Sequence, residues 1–361
     1  MQPEIQAFIQ QIIPRTTGAG SAGPPPAEGS GSLPTGGPDP PPDPASLQFF
    51  PVGGGSINST YRILAKDAGQ PAAGKTQATK GNTQAAANDR QAPTDSRQKA
   101  ADGRQAINTS RQWFCKINDA APFPGLFAKE RDGLAILRAQ HIIRVPAVVA
   151  CETVATTGGA KQVLILEWIE PGARTGSFWR LFGEQLARLH QVTWDSFGLG
   201  DDNYMGALPQ SNHPLQNWVD FFIQQRLTPQ IRLAAAKGLL GHDAIRQFER
   251  LYQALPGIFP DTAPSLLHGD LWSGNFLCDR EGQPVLIDPA VYFGHPGMDL
   301  AMTTLFGGFE RGFYESYAYY SPFPANYREQ WDICNLYPLL IHLNLFGKSY
   351  LGSILDTIQP F

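Results

Sequence analysis

The sequence predicts an α+β protein with two lobes, a small N-terminal lobe built on an antiparallel sheet and a larger, mainly helical C-terminal lobe. Strand-like apolar runs lie mostly in the first half, at 49–64, 113–118, 145–151 and 163–168, and a short hairpin is predicted at 276–287. A helical pattern at 126–140 lies between them. From Ser177 to Val192 and onward, helical periodicity dominates. The 361 residues, 42% of them hydrophobic, are enough to bury a core in each lobe.

Two low-complexity segments divide the chain. The first is rich in Gly, Pro, Ser and Ala, the second in Ala, Gln, Asn, Thr and Lys, and neither carries enough apolar residues to offset its ordering entropy. We therefore expect an N-terminal helix over 1–14, a disordered linker over 15–47, an N-lobe over 48–170 with a disordered insert at 67–112, and a C-lobe over 171–361.

Composition excludes several classes of protein. A formal charge of −4 and a pI near 6.0 provide no basic field, so nucleic acid is not expected as a partner. The four cysteines are widely separated without a C-x-x-C pair, which argues against a zinc site or disulfide framework and favours a reducing compartment. No run of 18 apolar residues and no secretory leader pattern are present, so we expect no membrane association and a cytoplasmic location. The oligomeric state cannot be predicted.

The chemistry is concentrated between Leu266 and Asp299. His268-Gly269-Asp270, four residues and then Asn275 reproduce the spacing of the protein-kinase catalytic loop, in which Asp accepts the hydroxyl proton and Asn holds Mg²⁺. Asp288 follows a predicted hairpin that would bring it beside Asn275 as a second metal ligand. Local turn and cap roles could explain each residue singly, but they explain the combined spacing poorly.

An ion pair is predicted in the N-lobe. Glu130 lies on the apolar face of the predicted helix at 126–140, together with Phe127 and Leu134, where an unpaired carboxylate would be costly. Lys116, on the preceding strand, is the natural partner, and such a pair orients ATP phosphates in kinases. A surface lysine and an edge glutamate are the alternative.

Two further N-lobe features suggest a nucleotide site. Gly53, Gly54, Gly55 and Ser56 separate two strands, and glycines there would let backbone N–H groups approach phosphates, although an ordinary hairpin turn has the same composition. The segment 167–172 would connect the lobes. Backbone groups of Glu167 and Ile169 are the expected adenine contacts.

Two stretches resemble the fructosamine-kinase (ketosamine-3-kinase) family of the protein-kinase-like superfamily. They are HGDLWSGN at 268–275 and DPAVYFGHPGMDLAM at 288–302. The segment 197–227 adds further matching positions: Asn203, Tyr204, Gly206, Pro209, Gln210, Asn212, Trp218, Phe221, Phe222, Arg226 and Leu227. The chain departs from the family at Pro296-Gly297, where Arg-Glu is usual, and at Ser56, where Cys is usual.

The resemblance implies an ATP- and Mg²⁺-dependent kinase acting on the 3-hydroxyl of ketosamines, namely ribulosamine, erythrulosamine or fructosamine adducts on a free amine or a glycated protein lysine, and thereby repairing glycated amines. Trp272 is a candidate wall for the sugar. His295 and Asp299 are further substrate candidates, with Asp299 also expected to start a helix and brace the catalytic loop. The alternatives are an aminoglycoside- or choline-type kinase and a non-catalytic nucleotide-binding protein.

Overall fold

The N-lobe is a five-stranded antiparallel sheet in the order β1-β2-β3-β5-β4. The structure, a computed structural model, describes residues 1–18, 42–53, 57–65 and 111–361. The strands have these bounds: β1 Leu47–Pro51, β2 Ser59–Ala65, β3 Gln112–Asp119, β4 Val148–Thr156 and β5 Gly159–Glu167. In the β2–β3 pair, Thr60 lies opposite Lys116.

A helix covers each face of this sheet. Alternate β3 residues point to opposite faces, so Cys115 and Lys116 lie on different sides. Helix α1 (Pro3–Gly18) buries an isoleucine stripe against the face that contains Cys115. Helix α2 (Leu126–Ala139) packs on the other face and brings its apolar stripe against strand β5.

The predicted linker bounds need adjustment. Helix α1 continues through Pro14 to Gly18, beyond the expected end at residue 14. At the other end, a 3₁₀ turn (Pro44–Ser46) leads directly into β1 at Leu47. The remainder of the linker, 19–41, and the insert over 66–110 lie outside the described residues.

The connection between the lobes includes a close backbone approach. After β5, the Gly172 N–H donates to the Cys278 carbonyl at 2.7 Å. A Cβ at position 172 would lie 1.9 Å from the Asp279 carbonyl oxygen. Glycine is therefore required where the connection crosses the C-lobe.

The C-lobe is mainly helical, as expected. Its helices are α3 (Gly176–Leu189), α4 (Trp218–Phe221), α5 (Thr228–Ala236), α6 (His242–Ile258), α7 (Gly297–Leu305), α8 (Arg311–Tyr320), α9 (Tyr327–Cys334), α10 (Leu336–Phe346) and α11 (Leu351–Ile358). A π-helical segment (Phe222–Leu227) joins α4 to α5, and a 3₁₀ turn (Lys348–Tyr350) precedes α11.

Three short antiparallel strand pairs complete the lobe. They are β6 (Asn203–Met205) with β7 (Leu208–Gln210), β8 (Ser265–Leu267) with β11 (Tyr292–Gly294), and β9 (Phe276–Cys278) with β10 (Pro284–Leu286). Within the described ranges, every helix is too short or too polar to cross a bilayer. The two-lobed α+β architecture predicted from the sequence is confirmed.

Candidate active site

A cleft of about 480 Å³ separates the lobes. Six residues predicted from the sequence line it: Lys116, Glu130, Asp270, Trp272, Asn275 and Asp288. They come from β3, α2, the loop between β8 and β9, and the segment after β10. The fold therefore gathers groups that are up to 172 positions apart in sequence, as in the Lys116–Asp288 contact.

The loop after β8 has a backbone that only glycine can easily adopt. Gly269 has φ +85°, and a Cβ there would lie 2.0 Å from the Ala290 carbonyl oxygen. The Ala290 N–H donates to the His268 carbonyl at 2.9 Å, which ties the loop to the segment after β10. This turn presents Asp270 to the cleft.

Asn275 is oriented by Asp270. Its Nδ2 donates to Asp270 Oδ2 and to the Asp270 carbonyl oxygen, both at 2.9 Å. With both amide hydrogens used in this way, the amide oxygen of Asn275 is the atom left to act as a ligand.

The hairpin β9–β10 brings Asp288 beside Asn275. Its register pairs Phe276 with Leu286, and the Ile287 N–H donates to the Asn275 carbonyl at 3.1 Å. Asp288 lies two residues beyond β10, in a left-handed conformation with φ +54°. Its carboxylate is 41% exposed and faces the cleft.

Lys116 lies between two carboxylates. Its Nζ is 2.7 Å from Glu130 Oε1 and 2.5 Å from Asp288 Oδ1, while the lysine side chain is only 3% exposed. Burial would lower the pKa of Lys116, but the charges of Asp288 and Glu130 outweigh it and raise the pKa. The ammonium therefore stays charged and links α2, the sheet and the hairpin.

Asp270 has the acidity expected of a base that works near neutral pH. Burial, with a contribution from the charge of Asp288, raises its pKa to about 7, although the hydrogen bond from Asn275 opposes this shift. A pKa near the working pH favours proton transfer in either direction.

A layer of polar groups, which we call the floor, supports this loop from below; it consists of the buried His190, His268 and Asp299 and the partly buried His295. Asp299 lies in the first turn of α7 and is 1% exposed. Its Oδ1 accepts from the Gly269 N–H and its Oδ2 from the His268 N–H, both at 2.8 Å, and Oδ2 also contacts His190 Nε2 at 3.2 Å. The carboxylate therefore fixes the backbone that precedes Asp270.

His268 is held as a neutral ring. Its Nε2 lies 2.9 Å from the Ile287 carbonyl, and its Nδ1 accepts from the Asp270 N–H at 3.3 Å. A ring that donates at Nε2 and accepts at Nδ1 is uncharged. Burial lowers its pKa, although the nearby Asp299 opposes this.

The floor accounts for two residues predicted to contact substrate. Neither His295 nor Asp299 lines the cleft. The His295 ring packs between Trp218 and Phe259, with centroid distances of 5.6 and 5.2 Å, and its Nδ1 accepts from the Gly297 N–H. Both side chains make their hydrogen bonds below the loop, where Asp299 starts α7 and braces the catalytic loop as expected, and their tentative assignment as substrate contacts stays a prediction.

The expected adenine contacts, Glu167 and Ile169, lie at the end of β5 and just beyond it. The Glu167 side chain turns away from the cleft to Arg144, and its N–H donates to the Ala147 carbonyl at 2.8 Å. Ile169 is buried and does not line the cleft. Gly54, Gly55 and Ser56 lie outside the described residues, and Gly53 is exposed.

On the C-lobe side, rings surround the entrance. We call this group the aromatic mouth: Trp272, Phe306, His342, Phe346 and Tyr350. Trp272, Phe306 and Phe346 are 37%, 40% and 53% exposed, and the Trp272 and Phe306 rings meet edge to face at 5.8 Å. Sequence reasoning found only Trp272, because the other four lie in or next to apolar helical runs that resemble core.

The segment 197–227 both lines and supports the cleft. Asn203, Tyr204 and Gly206 are among the lining residues. Asn203 Nδ2 also donates to the Val291 carbonyl at 2.8 Å, just beyond Asp288, and Gln210 Nε2 donates to the Ala290 carbonyl at 3.1 Å. These bonds brace the backbone that follows the candidate metal ligand.

The Tyr204 hydroxyl reaches the N-lobe. It donates to the Pro124 carbonyl at 3.0 Å, immediately before α2. The helix that carries Glu130 is thus attached to the C-lobe at its N-terminal end.

The architecture and the cleft together define a kinase of the protein-kinase-like class. A small antiparallel lobe faces a helical lobe, and the cleft between them contains a Lys–Glu pair and an Asp–Asn–Asp set. The family model described as fructosamine kinase matches residues 69–361. A probable ketoamine kinase of Lactiplantibacillus plantarum is 40% identical over 257 residues, covering 70% of this chain and 87% of the relative. The chain belongs to the fructosamine kinase family.

Two further comparisons agree. The chloroplastic protein-ribulosamine 3-kinase of Arabidopsis thaliana is 35% identical over 243 residues, which is 66% of this chain and 72% of the relative. A crystal structure of a candidate fructosamine-3-kinase from Thermobifida fusca superposes with a TM-score of 0.68 at 28% identity, covering 86% of this chain and 92% of that one.

Proposed function

We propose that this chain transfers the γ-phosphoryl group of ATP to the 3-hydroxyl of a ketosamine, and so prepares glycated amines for repair. The observation that carries the proposal is the convergence of Asp270, Asn275, Asp288 and the Lys116–Glu130 pair on one cleft, in a member of the fructosamine kinase family. The acceptor is a ribulosamine, erythrulosamine or fructosamine, on a free amine or a protein lysine.

Asp270 takes the proton of the attacking hydroxyl while the new O–P bond forms and the bond to the β-phosphate oxygen breaks, leaving ADP. Lys116, held by Glu130, places its charge on the phosphate side of the cleft. These groups work by position and electrostatics, as is usual in phosphoryl transfer. The roles of Gly53–Ser56 over the nucleotide, and of Glu167 and Ile169 at the adenine, are part of the same proposal.

The donor set fits Mg²⁺. The Asp288 carboxylate and the Asn275 amide oxygen are hard oxygen ligands, and Mg²⁺ commonly takes one or two carboxylates and completes its shell with water and phosphate. The described residues contain no cluster of three or more His, Cys, Asp or Glu side chains that would form a complete cage. When bound, the ion supplies charge neutralisation at the phosphates.

The aromatic mouth favours a sugar adduct over a polycationic antibiotic. Ring faces pack well on the C–H surfaces of a sugar and on an aliphatic amine chain. Among the described lining residues, the carboxylates are Glu130, Asp270 and Asp288, all on the phosphate side, and none lies in the aromatic mouth. An acceptor with several ammonium groups would lack counter-ions there.

Phosphate transfer from Mg-ATP to ribulosyl-, erythrulosyl- and fructosyl-lysine, kanamycin and choline tests the proposal, with Asp270→Asn as the blank. We expect transfer to at least one ketosamine, and a glycated protein as a further acceptor distinguishes protein lysine from free amine. Transfer to kanamycin or choline alone would replace the proposed substrate class. ATP binding without any transfer would favour the non-catalytic alternative. The cytoplasmic location stays a prediction.

A further inference from the structure

The side chain of Arg144 joins the two lobes. Arg144 lies between α2 and β4, and its guanidinium contacts two carboxylates, with Nη2 2.5 Å from Glu167 Oε1 and Nη1 2.5 Å from Asp279 Oδ2. Glu167 ends β5 before the connection between the lobes, whereas Asp279 follows β9 in the C-lobe. One planar side chain thus bridges the N-lobe sheet and the hairpin β9–β10.

Both carboxylates are fixed by backbone groups as well. Glu167 Oε2 accepts from the Ala147 N–H at 3.0 Å. Asp279 Oδ1 accepts from the N–H groups of Glu281 at 3.1 Å and Gln283 at 2.8 Å, and its side chain is only 3% exposed. Because both carboxylates are themselves fixed, the Arg144 side chain holds the hairpin β9–β10 at a defined position relative to the N-lobe sheet.

The backbone of Arg144 reinforces the contact. Its carbonyl accepts from the Leu286 N–H of β10 at 2.9 Å, and Arg144 pairs with Val285 as an isolated parallel bridge. Arg144 therefore holds the hairpin through one strand and through its turn. An exposed ion pair contributes little, but a nearly buried carboxylate loses considerably when its partner is removed.

The hairpin is short and carries both candidate metal ligands at its open end. Asn275 precedes β9 and Asp288 follows β10 by two residues, while Asp279 lies at the opposite, turn end. Tilting the hairpin at the turn would displace both ligands together. Misplacement of reacting groups by about 1 Å is enough to slow an enzyme strongly.

We propose that Arg144 is a positioning residue for phosphoryl transfer, which sets the placement of Asn275 and Asp288 by clamping the turn of their hairpin to the end of β5. This inference rests on the roles proposed above for Asn275 and Asp288. Arg144 itself does not line the cleft.

The test is Arg144→Met in the full chain. We expect the Mg²⁺ concentration needed for tight ATP binding, measured by calorimetry, to rise about tenfold, the size seen when supporting partners of metal ligands are lost. The turnover number should fall while KM for the acceptor stays unchanged. Amide hydrogen exchange in 276–288, without nucleotide, should become faster. Arg144→Lys should recover part of each effect, because a lysine keeps the charge but cannot bridge both carboxylates.

The matched control is Arg188→Met, which removes a guanidinium that pairs with Glu184 on α3, away from the cleft. It should leave all three readouts unchanged. A folded Arg144→Met protein with unaltered Mg²⁺ dependence and turnover would overturn the proposal, even if its melting temperature fell.

If Arg144→Met does not fold, Glu167→Gln serves instead, because it weakens one arm of the bridge and leaves the Asp279 arm intact. A rise of about threefold in the Mg²⁺ requirement is expected, and no rise would overturn the proposal. The binding and exchange readouts need no acceptor. They would therefore still decide the role of Arg144 if the ketosamine proposal failed.

Discussion

The floor and the aromatic mouth lie on the same lobe but differ in almost every physical respect. In the floor, Asp299 is 1% exposed and accepts from two backbone N–H groups and a histidine. In the mouth, Phe346 is 53% exposed and its ring contacts are with His342 and Tyr350. The difference shows that the backbone before Asp270 is fixed by several hydrogen bonds, whereas the rings of the mouth, which we propose contact the acceptor, are held by ring contacts alone.

The largest expected effect tests the chemistry that the floor supports. Asp270→Asn removes the proposed base but keeps the shape of the side chain and its contact with Asn275. We expect turnover to fall about a thousandfold, within the usual range for a general base. The dissociation constant for Mg-ATP should change little, and equilibrium binding measures it. A variant that retains near-normal turnover would remove Asp270 from the role of base.

The second effect tests the floor itself. The Asp299 carboxylate accepts hydrogen bonds from His268, Gly269 and His190. In Asp299→Asn, one of the two oxygens becomes an NH₂ group, which cannot accept, so at least one of these buried donors loses its acceptor. A buried donor left without an acceptor costs about 1–3 kcal/mol, so we expect unfolding stability to fall by about 2–3 kcal/mol. Urea denaturation measures it, and turnover should fall less than in Asp270→Asn. A change below 1 kcal/mol would mean that the floor is not fixed in this way.

The third effect concerns pH. Burial, with the neighbouring His190 second, lowers the pKa of His295 from 6.5 to about 4 in the folded chain. Between these values the unfolded chain binds a proton that the folded chain does not, so stability falls as the pH drops from 7 toward 4. At pH 5 this amounts to about 2 kcal/mol, at 1.36 kcal/mol per unit.

His295→Asn tests this, because it keeps an acceptor for the Gly297 N–H but does not titrate. The loss of stability between pH 7 and pH 5, from urea midpoints, should be smaller than in the unaltered chain. His242→Asn, at an exposed position at the start of α6, is the control and should behave like the unaltered chain. Equal pH dependence in all three proteins would disprove a neutral His295.

The smallest expected effect tests the mouth. Trp272→Ala removes a half-exposed ring, and we expect KM for the ketosamine to rise about tenfold, or about 1.4 kcal/mol. Turnover and KM for ATP should stay nearly unchanged, since no floor residue moves. Trp272→Phe keeps an aromatic face and should lose much less. If instead turnover collapses with KM unaltered, Trp272 belongs with the floor.

Sequence reasoning succeeded where information is local. Periodicity and spacing predict the α+β architecture and the hairpin that brings Asp288 beside Asn275. They also predict the Lys116–Glu130 contact. Nothing in the sequence near His295 signals that Trp218 and Phe259 will enclose it, so its surroundings could not be predicted. The same holds for Arg144, whose partner Asp279 is 135 positions away.

The other four residues of the mouth were missed for a different reason. Phe306 and Phe346 lie beside apolar helical runs, and periodicity cannot tell a ring that packs in the core from one that borders a cleft. The exposure of the Phe306 and Phe346 rings is defined only by the three-dimensional structure, where they border the cleft between the lobes.

The close approach at Gly172 limits which amino acids can replace this residue. A single methyl group there would meet the Asp279 carbonyl at 1.9 Å, at the carboxylate residue that Arg144 clamps. In a saturation library scored for phosphotransfer, codon 172 should return glycine alone. Gly257 in α6, which has nothing within 4 Å of its would-be Cβ, should accept alanine on steric grounds. Position 172, in the connection between the lobes, is thus expected to tolerate no substitution.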